Sequence, residues 1–171
     1  ILCLDVAHGH HILMRDALLK LKGLFGDKIH LMAGNVAMRS AFEDLANWGA
    51  DSIKVGIGGG SICSTRIQTG HGVPTFHSVL ECSKADINRD VKIIADGGLR
   101  SSGDIVKAIA AGADFVMLGS MLAGTDQSPG ELYTNIQGEQ VKSYRGMASQ
   151  EAQTEWRGKL GPMRGLPLSF P

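Results

Sequence analysis

Gly49-Ala-Asp-Ser-Ile-Lys-Val-Gly56 decides the fold. It reads as a helix ending at Gly49, a turn at Ala50-Asp51, a short strand and an exit on Gly56. The same grammar returns at Gly112-Ala-Asp-Phe-Val-Met-Leu-Gly119, two strand–helix units later. Repeated units of this kind predict parallel strands joined by helices, and point to a (β/α)8 TIM barrel. In such a barrel the chemistry sits on the loops that follow the strands.

Outward from this pair, short apolar runs predict strands over 1–5, 29–33, 52–56, 91–95 and 114–118. Each is mostly apolar on both faces, as buried parallel strands are. Helices fit between them. Residues 12–22 place Met14, Ala17, Leu18 and Leu21 on one face. Residues 41–47 follow Ser40, with Glu43 completing a capping box, and 75–85 precede the fourth strand. Residues 102–111 follow Ser101 and stop at Gly112. Five strands do not close a barrel, and 171 residues fall short of the roughly 250 typical of the fold. Two architectures remain: the C-terminal part of a barrel, with about three strands upstream, or an open doubly wound sheet. The partial barrel is preferred. Residues 1–171 are then expected to form one partial catalytic domain, with the Cys63 loop and the start of a flap over 144–171. The strand-like opening at Ile1 and the ending at Leu166–Pro171 read as parts of a longer chain.

Composition narrows the function. With 43% hydrophobic and 20% charged residues, the chain can build a core. Lys+Arg and Asp+Glu number 17 each, so the net charge is zero. That argues against electrostatically driven binding to nucleic acid or an anionic membrane. No apolar run approaches the roughly 18 residues of a membrane span. Three cysteines without a Cys-x-x-Cys pair suit free thiols in a reducing cytoplasm, not a disulfide framework or a structural zinc site.

Every unusual cluster follows a strand: Asp5 to His11, Gly34-Asn35, the loop from Gly58 to Arg66, Asp96-Gly97-Gly98 and Gly119-Ser120. In the loop Gly58-Gly-Gly-Ser-Ile-Cys-Ser-Thr-Arg66, glycines let backbone groups approach a ligand, and Cys63 is a candidate nucleophile. The lysine of a nucleotide-triphosphate P-loop is missing. Asp96 can accept hydrogen bonds from a sugar diol. Gly98, Gly119 and Ser120 suit a phosphate site of the kind found after late barrel strands. His8, His10 and His11 lack partner cysteines and read as solvated loop residues. Cys3 and Cys82 sit in apolar patterns and read as core thiols, and Trp48 and Trp156 as packing residues.

Several motifs in one order carry a resemblance. They are Leu4-Asp5-Val-Ala-His-Gly-His10, Ala33-Gly-Asn-Val36, Lys54-Val-Gly-Ile-Gly58, Gly60-Ser-Ile-Cys63, Ala95-Asp-Gly-Gly98, Met117 to Gly124, Ser128-Pro-Gly-Glu131 and Tyr144-Arg-Gly-Met147. Across nearly its whole length the chain resembles the inosine monophosphate dehydrogenase and guanosine monophosphate reductase family. The resemblance implies a (β/α)8 barrel that assembles as a homotetramer. It implies a covalent bond from Cys63 to C2 of a purine mononucleotide, GMP or IMP, with hydride passing between C2 and NADPH or NAD. It assigns Ser61, Asp96, Gly98, Gly119, Ser120, Tyr144, Gly146 and Met147 to the nucleotide, and Asp5 and Asn35 to the nicotinamide side. Carbonyls of Gly58, Gly60 and Cys63 match a potassium site. Thr65 and Glu131 match a pair that handles protons or water.

The member is read from what handles water. The resemblance implies that many dehydrogenases place an Arg-Tyr pair on a flap after Tyr-Arg-Gly-Met, whereas the reductase releases ammonia and needs none. Here Arg157 precedes Gly158, and no Arg-Tyr occurs in the chain. Arg66-Ile-Gln-Thr69-Gly70 also resembles the reductase, while Ala123-Gly-Thr125 and Tyr144-Arg-Gly146 resemble the dehydrogenase. The leading expectation is GMP reductase and the alternative IMP dehydrogenase. A non-catalytic nucleotide-binding subunit is a third reading.

Overall fold

The computed structural model describes residues 1–146, 149 and 152–156. They fall into two compact units, Ile1–Leu122 and Ala123–Pro171. In the first, strands and helices run β1 (Leu2–Asp5), α1 (Ile12–Phe25), β2 (Leu31–Val36), α2 (Arg39–Asn47), β3 (Ser52–Val55), α3 (Thr65–Thr69), α4 (Thr75–Cys82), β4 (Lys92–Asp96), α5 (Ser102–Ala110) and β5 (Phe115–Met117). A single 3-10 turn, Gly26–Lys28, follows α1, and α6 (Ser120–Ala123) closes the series. The second unit carries an antiparallel hairpin, β6 (Leu132–Thr134) and β7 (Gln140–Lys142).

The five strands are parallel and lie in sequence order, β1-β2-β3-β4-β5. A doubly wound sheet reverses its strand order at a switch point. This sheet has no reversal, so it is the consecutive strand–helix run of a partial (β/α)8 barrel.

The repeated stretch is a repeated structure. Helix α2 ends with the Gly49 N–H on Ala46 O at 3.1 Å and the Ala50 N–H on Leu45 O at 3.1 Å. Helix α5 ends the same way, Gly112 on Ile109 O at 2.9 Å and Ala113 on Ala108 O at 3.1 Å. Both are Schellman caps, and the glycines take φ of 107° and 109°, where side chains are strained. The following aspartate then knits the sheet. Asp51 Oδ2 accepts from Leu31 N at 2.9 Å, and Asp114 Oδ2 from Ile93 N at 2.8 Å.

The core lies between the sheet and helices α1, α2, α4 and α5. Leu18, Leu31, Phe42, Leu45, Ile53, Val55, Val79 and Cys82 are almost wholly enclosed. Met14 and Leu18 are buried on α1, with Ala17 and Leu21 half-buried on the same face.

Four expectations are corrected. Only the inner strands are buried; β1 and β5 are largely exposed, because in this sheet each has a neighbour on one side only. Cys3, expected as a core thiol, is exposed on β1 in this sheet, where that strand has no neighbour on one side. The capping box at Ser40 does not form. Helix α2 starts earlier, after Met38 with no side-chain cap, and Glu43 pairs with Arg39 at 2.7 Å and accepts from Asp86 N. Trp156 is exposed, whereas Trp48 is half-buried against the core as expected. The flap over 144–171 lies mostly outside the described residues.

Candidate active site

All the strand-end clusters of the first unit lie at the carboxyl ends of the parallel strands. The Cys63 loop leaves β3 and is held by an antiparallel bridge between Ile57 and Val73. Its glycines meet the loop after β4 backbone to backbone. A Cβ on Gly98 would lie 2.9 Å from Gly59 O, and one on Gly97 would lie 3.0 Å from Gly60 N. Bare glycine is required there because two loops occupy the space of one side chain.

At the loop tip the Cys63 N–H bonds Gly60 O at 3.1 Å. The Cys63 thiol, half-buried, donates to Thr65 Oγ1 at 3.3 Å. Thr65 opens the short helix α3. A hydroxyl beside a thiol can take or return a proton as that thiol reacts. Ser61 Oγ donates to Ser120 Oγ at 3.1 Å, which joins the Cys63 loop to the loop after β5. Two hydroxyls meeting among exposed loop residues are free to turn toward an anionic ligand.

A second group of side chains lies at the ends of β1 to β4. Lys54 is buried, with Nζ 2.6 Å from Asp5 Oδ1 and 3.2 Å from Asp96 Oδ2. Burial pulls the Lys54 pKa down, but hydrogen bonds and charge from Asp5 and Asp96 more than reverse this, so the ammonium persists at neutral pH. Asn35 Nδ2 donates to Gly56 O at 2.8 Å and to Asp96 Oδ2 at 2.9 Å. Its buried Oδ1 has no partner among the described residues.

Sequence reasoning named Asp5, Asn35 and Asp96 but gave Lys54 no role. A lysine in an apolar strand looks like an ordinary outward-facing residue, and its partners are 49 and 42 positions away. The signal was Gly34, which lies in register between Asp5 and Lys54 on the intervening strand. Any Cβ there would sit 2.7 Å from Lys54 Cβ.

The histidines are occupied locally. His11 Nδ1 accepts from Leu13 N and caps α1. His10 Nε2 lies 2.8 Å from Asp44 Oδ2, and its ring stacks on Trp48 at 5.8 Å. Among the described residues no group of three or more His, Cys, Asp or Glu side chains could hold a metal ion.

Glu131, Tyr144 and Gly146 belong to the second unit, where Glu131 and Tyr144 are exposed. Within it, Lys142 Nζ donates to Thr125 O and Ser128 O, both at 2.7 Å, fixing the segment that leads to Glu131. Met147 and Arg157 lie outside the described residues.

Parallel strands in barrel order define an α/β fold, and a glycine-loop thiol, paired hydroxyls and a carboxylate–lysine cluster at their carboxyl ends make a candidate site for a ligand and a nucleophile. The family model of the IMP dehydrogenase / GMP reductase domain matches residues 1–161, and the chain belongs to that family. It is 50% identical over 165 residues to inosine-5'-monophosphate dehydrogenase of Mycobacterium tuberculosis, covering 96% of this chain and 29% of that protein. It is 51% identical over 154 residues to the dehydrogenase of Methanocaldococcus jannaschii, covering 90% and 31%. It is similar to the crystal structure of a cysteine-to-alanine variant of GMP reductase from Trypanosoma brucei in complex with guanosine 5'-monophosphate. The TM-score is 0.83 and the identity 48%, covering 89% of this chain and 32% of that one. For inosine 5'-monophosphate dehydrogenase from Legionella pneumophila the TM-score is 0.76 and the identity 50%, covering 96% and 50%. The chain thus spans less than a third of the curated relatives it matches.

Proposed function

We propose that the protein is a purine-nucleotide oxidoreductase that works through a covalent bond from Cys63 to C2 of the purine, and that it is a GMP reductase. The observation that carries the covalent chemistry is the Cys63 thiol on Thr65 Oγ1, on a loop packed against the Gly97-Gly98 turn that follows Asp96.

In the reductive direction the Cys63 sulfur adds to C2 of GMP and the 2-amino group leaves as ammonia. Hydride then arrives at C2, the carbon–sulfur bond breaks and IMP departs. Thr65 Oγ1 accepts the thiol hydrogen bond and can relay that proton to the departing amino group, and the resemblance assigns Glu131 to the same proton handling. Ser61 and Ser120, with Gly98 and Gly119, hold the phosphate. Asp96 holds the ribose hydroxyls. The resemblance assigns Tyr144, Gly146 and Met147 to the nucleotide as well.

A bound nicotinamide dinucleotide, NADPH for the reductase or NAD for the dehydrogenase, would supply or take the hydride. The residues present fit one. The carboxylate of Asp5 is exposed, and the unpartnered Oδ1 of Asn35 is an acceptor suited to a carboxamide N–H. Carbonyls of Gly58, Gly60 and Cys63 are the hard oxygen donors potassium would use, and Gly60 O spends one lone pair on Cys63 N. If potassium orders this loop, replacing sodium by potassium raises turnover; a rate indifferent to the cation removes it from the mechanism. The assembly proposed is a homotetramer, which light scattering on the purified protein tests directly, and the compartment proposed is the cytoplasm.

The reductase reading rests on the sequence Arg157-Gly158 where a water-activating Arg-Tyr pair is expected in the dehydrogenase. IMP dehydrogenase is the second reading, favoured by relatives of that name at about half identity. Absorbance at 340 nm separates them. A fall with GMP and NADPH supports the reductase. A rise with IMP and NAD supports the dehydrogenase. No change in either cuvette supports a non-catalytic nucleotide-binding subunit.

A further inference from the structure

Lys54 joins two carboxylates that the proposed function gives to different ligands. Asp5 ends β1 and Asp96 ends β4, with Lys54 on β3. The sheet order puts β2 between Lys54 and Asp5, and the register aligns Asp5, Gly34 and Lys54 in one row. Because Gly34 has no side chain, the lysine reaches across β2 to Asp5 while holding Asp96 on the neighbouring strand. The Lys54 side chain is 4% exposed, whereas that of Asp5 is 62% exposed. A carboxylate so exposed gains little stability from an ion pair. What the pair fixes is direction: Asp5 Oδ1 is anchored on Lys54 while the rest of the carboxylate stays largely exposed. Asp96 is held twice, by Lys54 and by Asn35, on the same oxygen, Oδ2. Among the described residues no side-chain hydrogen bond engages its Oδ1, which is left as the atom for a ligand.

We propose that Lys54 is a positioning residue that ties Asp5 and Asp96 into one unit, so that the nucleotide and nicotinamide sides of the site are aligned by a single ammonium. This rests on the reading of Asp96 as the ribose-binding residue and Asp5 as the residue on the nicotinamide side. It predicts that the affinity supplied by Asp96 depends on Lys54, and that loss of Lys54 is felt by both ligands.

The test is a double-mutant cycle on the purified full chain, with GMP or IMP titrated by calorimetry into wild type, Lys54→Met, Asp96→Asn and the double variant. Asp96→Asn and Lys54→Met are each expected to weaken nucleotide binding about tenfold. The double variant is expected to bind within about twofold of Asp96→Asn alone, because the lysine acts through the aspartate. Lys54→Arg should recover most of the affinity, and Lys54→Met should also raise the KM for the dinucleotide. A lysine that only supports the fold would give losses that multiply to about a hundredfold in the double variant, and that result overturns the proposal. So does wild-type binding by Lys54→Met. If Asp96→Asn itself binds normally, the site reading falls, and this proposal with it. Thermal unfolding of each variant confirms that it is folded, and Lys54→Gln replaces Lys54→Met in the cycle should that variant unfold.

Discussion

Cys63 and Cys82 carry one functional group in two environments. Cys82 is buried on α4, and burial, with the charges of Glu81 and Glu43, pushes its thiol up to about 12. It stays protonated at pH 8 and shielded from reagents. Cys63 is half-buried at a loop tip, with a hydroxyl as its partner. Iodoacetamide at pH 8 is therefore expected to label Cys63 in the folded protein, and Cys82 only after unfolding. Peptide mass spectrometry reads this directly, and labelled Cys82 in the native protein would contradict it. Cys63 was legible in the sequence because its glycine loop is contiguous. Lys54 was not, because its meaning lies in contacts across three strands.

At the scale of elements, the two Schellman caps make a matched experiment. Gly112→Ala places a Cβ 2.5 Å from Ser83 Cβ, on top of an unfavourable φ. Gly49→Ala meets the flexible Lys22 side chain at 3.2 Å. Both should destabilise by about 1–3 kcal/mol, Gly112→Ala the more, as read from urea midpoints; equal or reversed effects would contradict the packing. Asp51 adds a pH dependence. Burial raises its pKa, but the hydrogen bonds from Leu31 N and Lys22 and the charges of Lys22 and Arg89 outweigh this, so the folded value is lowered. A lowered carboxylate contributes stability that is full above the unfolded value of about 3.9 and lost as pH falls through the folded value. Asp51→Ala should thus cost about 2 kcal/mol near neutral pH, and the deficit should shrink as pH falls below about 4. A deficit unchanged between pH 7 and pH 3 would show that the carboxylate charge plays no part. The caps were legible because Gly-Ala-Asp is a local signal. The capping box failed because Arg39, four residues before Glu43, competes for that carboxylate. The β6–β7 hairpin was missed, although Asn135 accepts from both Gln137 N and Glu139 N and Gly138 takes φ of 82° in its turn. Three-residue strands are too short to show a periodicity.

At the scale of the molecule, the sequential parallel sheet explains why clusters far apart in sequence share one end of the first unit. Parallel strands joined through helices all end on the same side. The spacing of the repeated stretch was enough to predict that, and the sheet order then separated a barrel run from a doubly wound sheet. What the sequence did not carry was the coupling between loops: Ser61 with Ser120, Gly59 with Gly98, and Lys54 with Asp5 and Asp96. In the proposed chemistry the Cys63 sulfur alone makes the covalent bond to the purine. The most direct measurement is turnover of Cys63→Ala at 340 nm, with nucleotide affinity measured on the same sample. Turnover is expected to fall at least about 10³-fold while GMP or IMP still binds within a few-fold of wild type. Turnover that survives the substitution would contradict it.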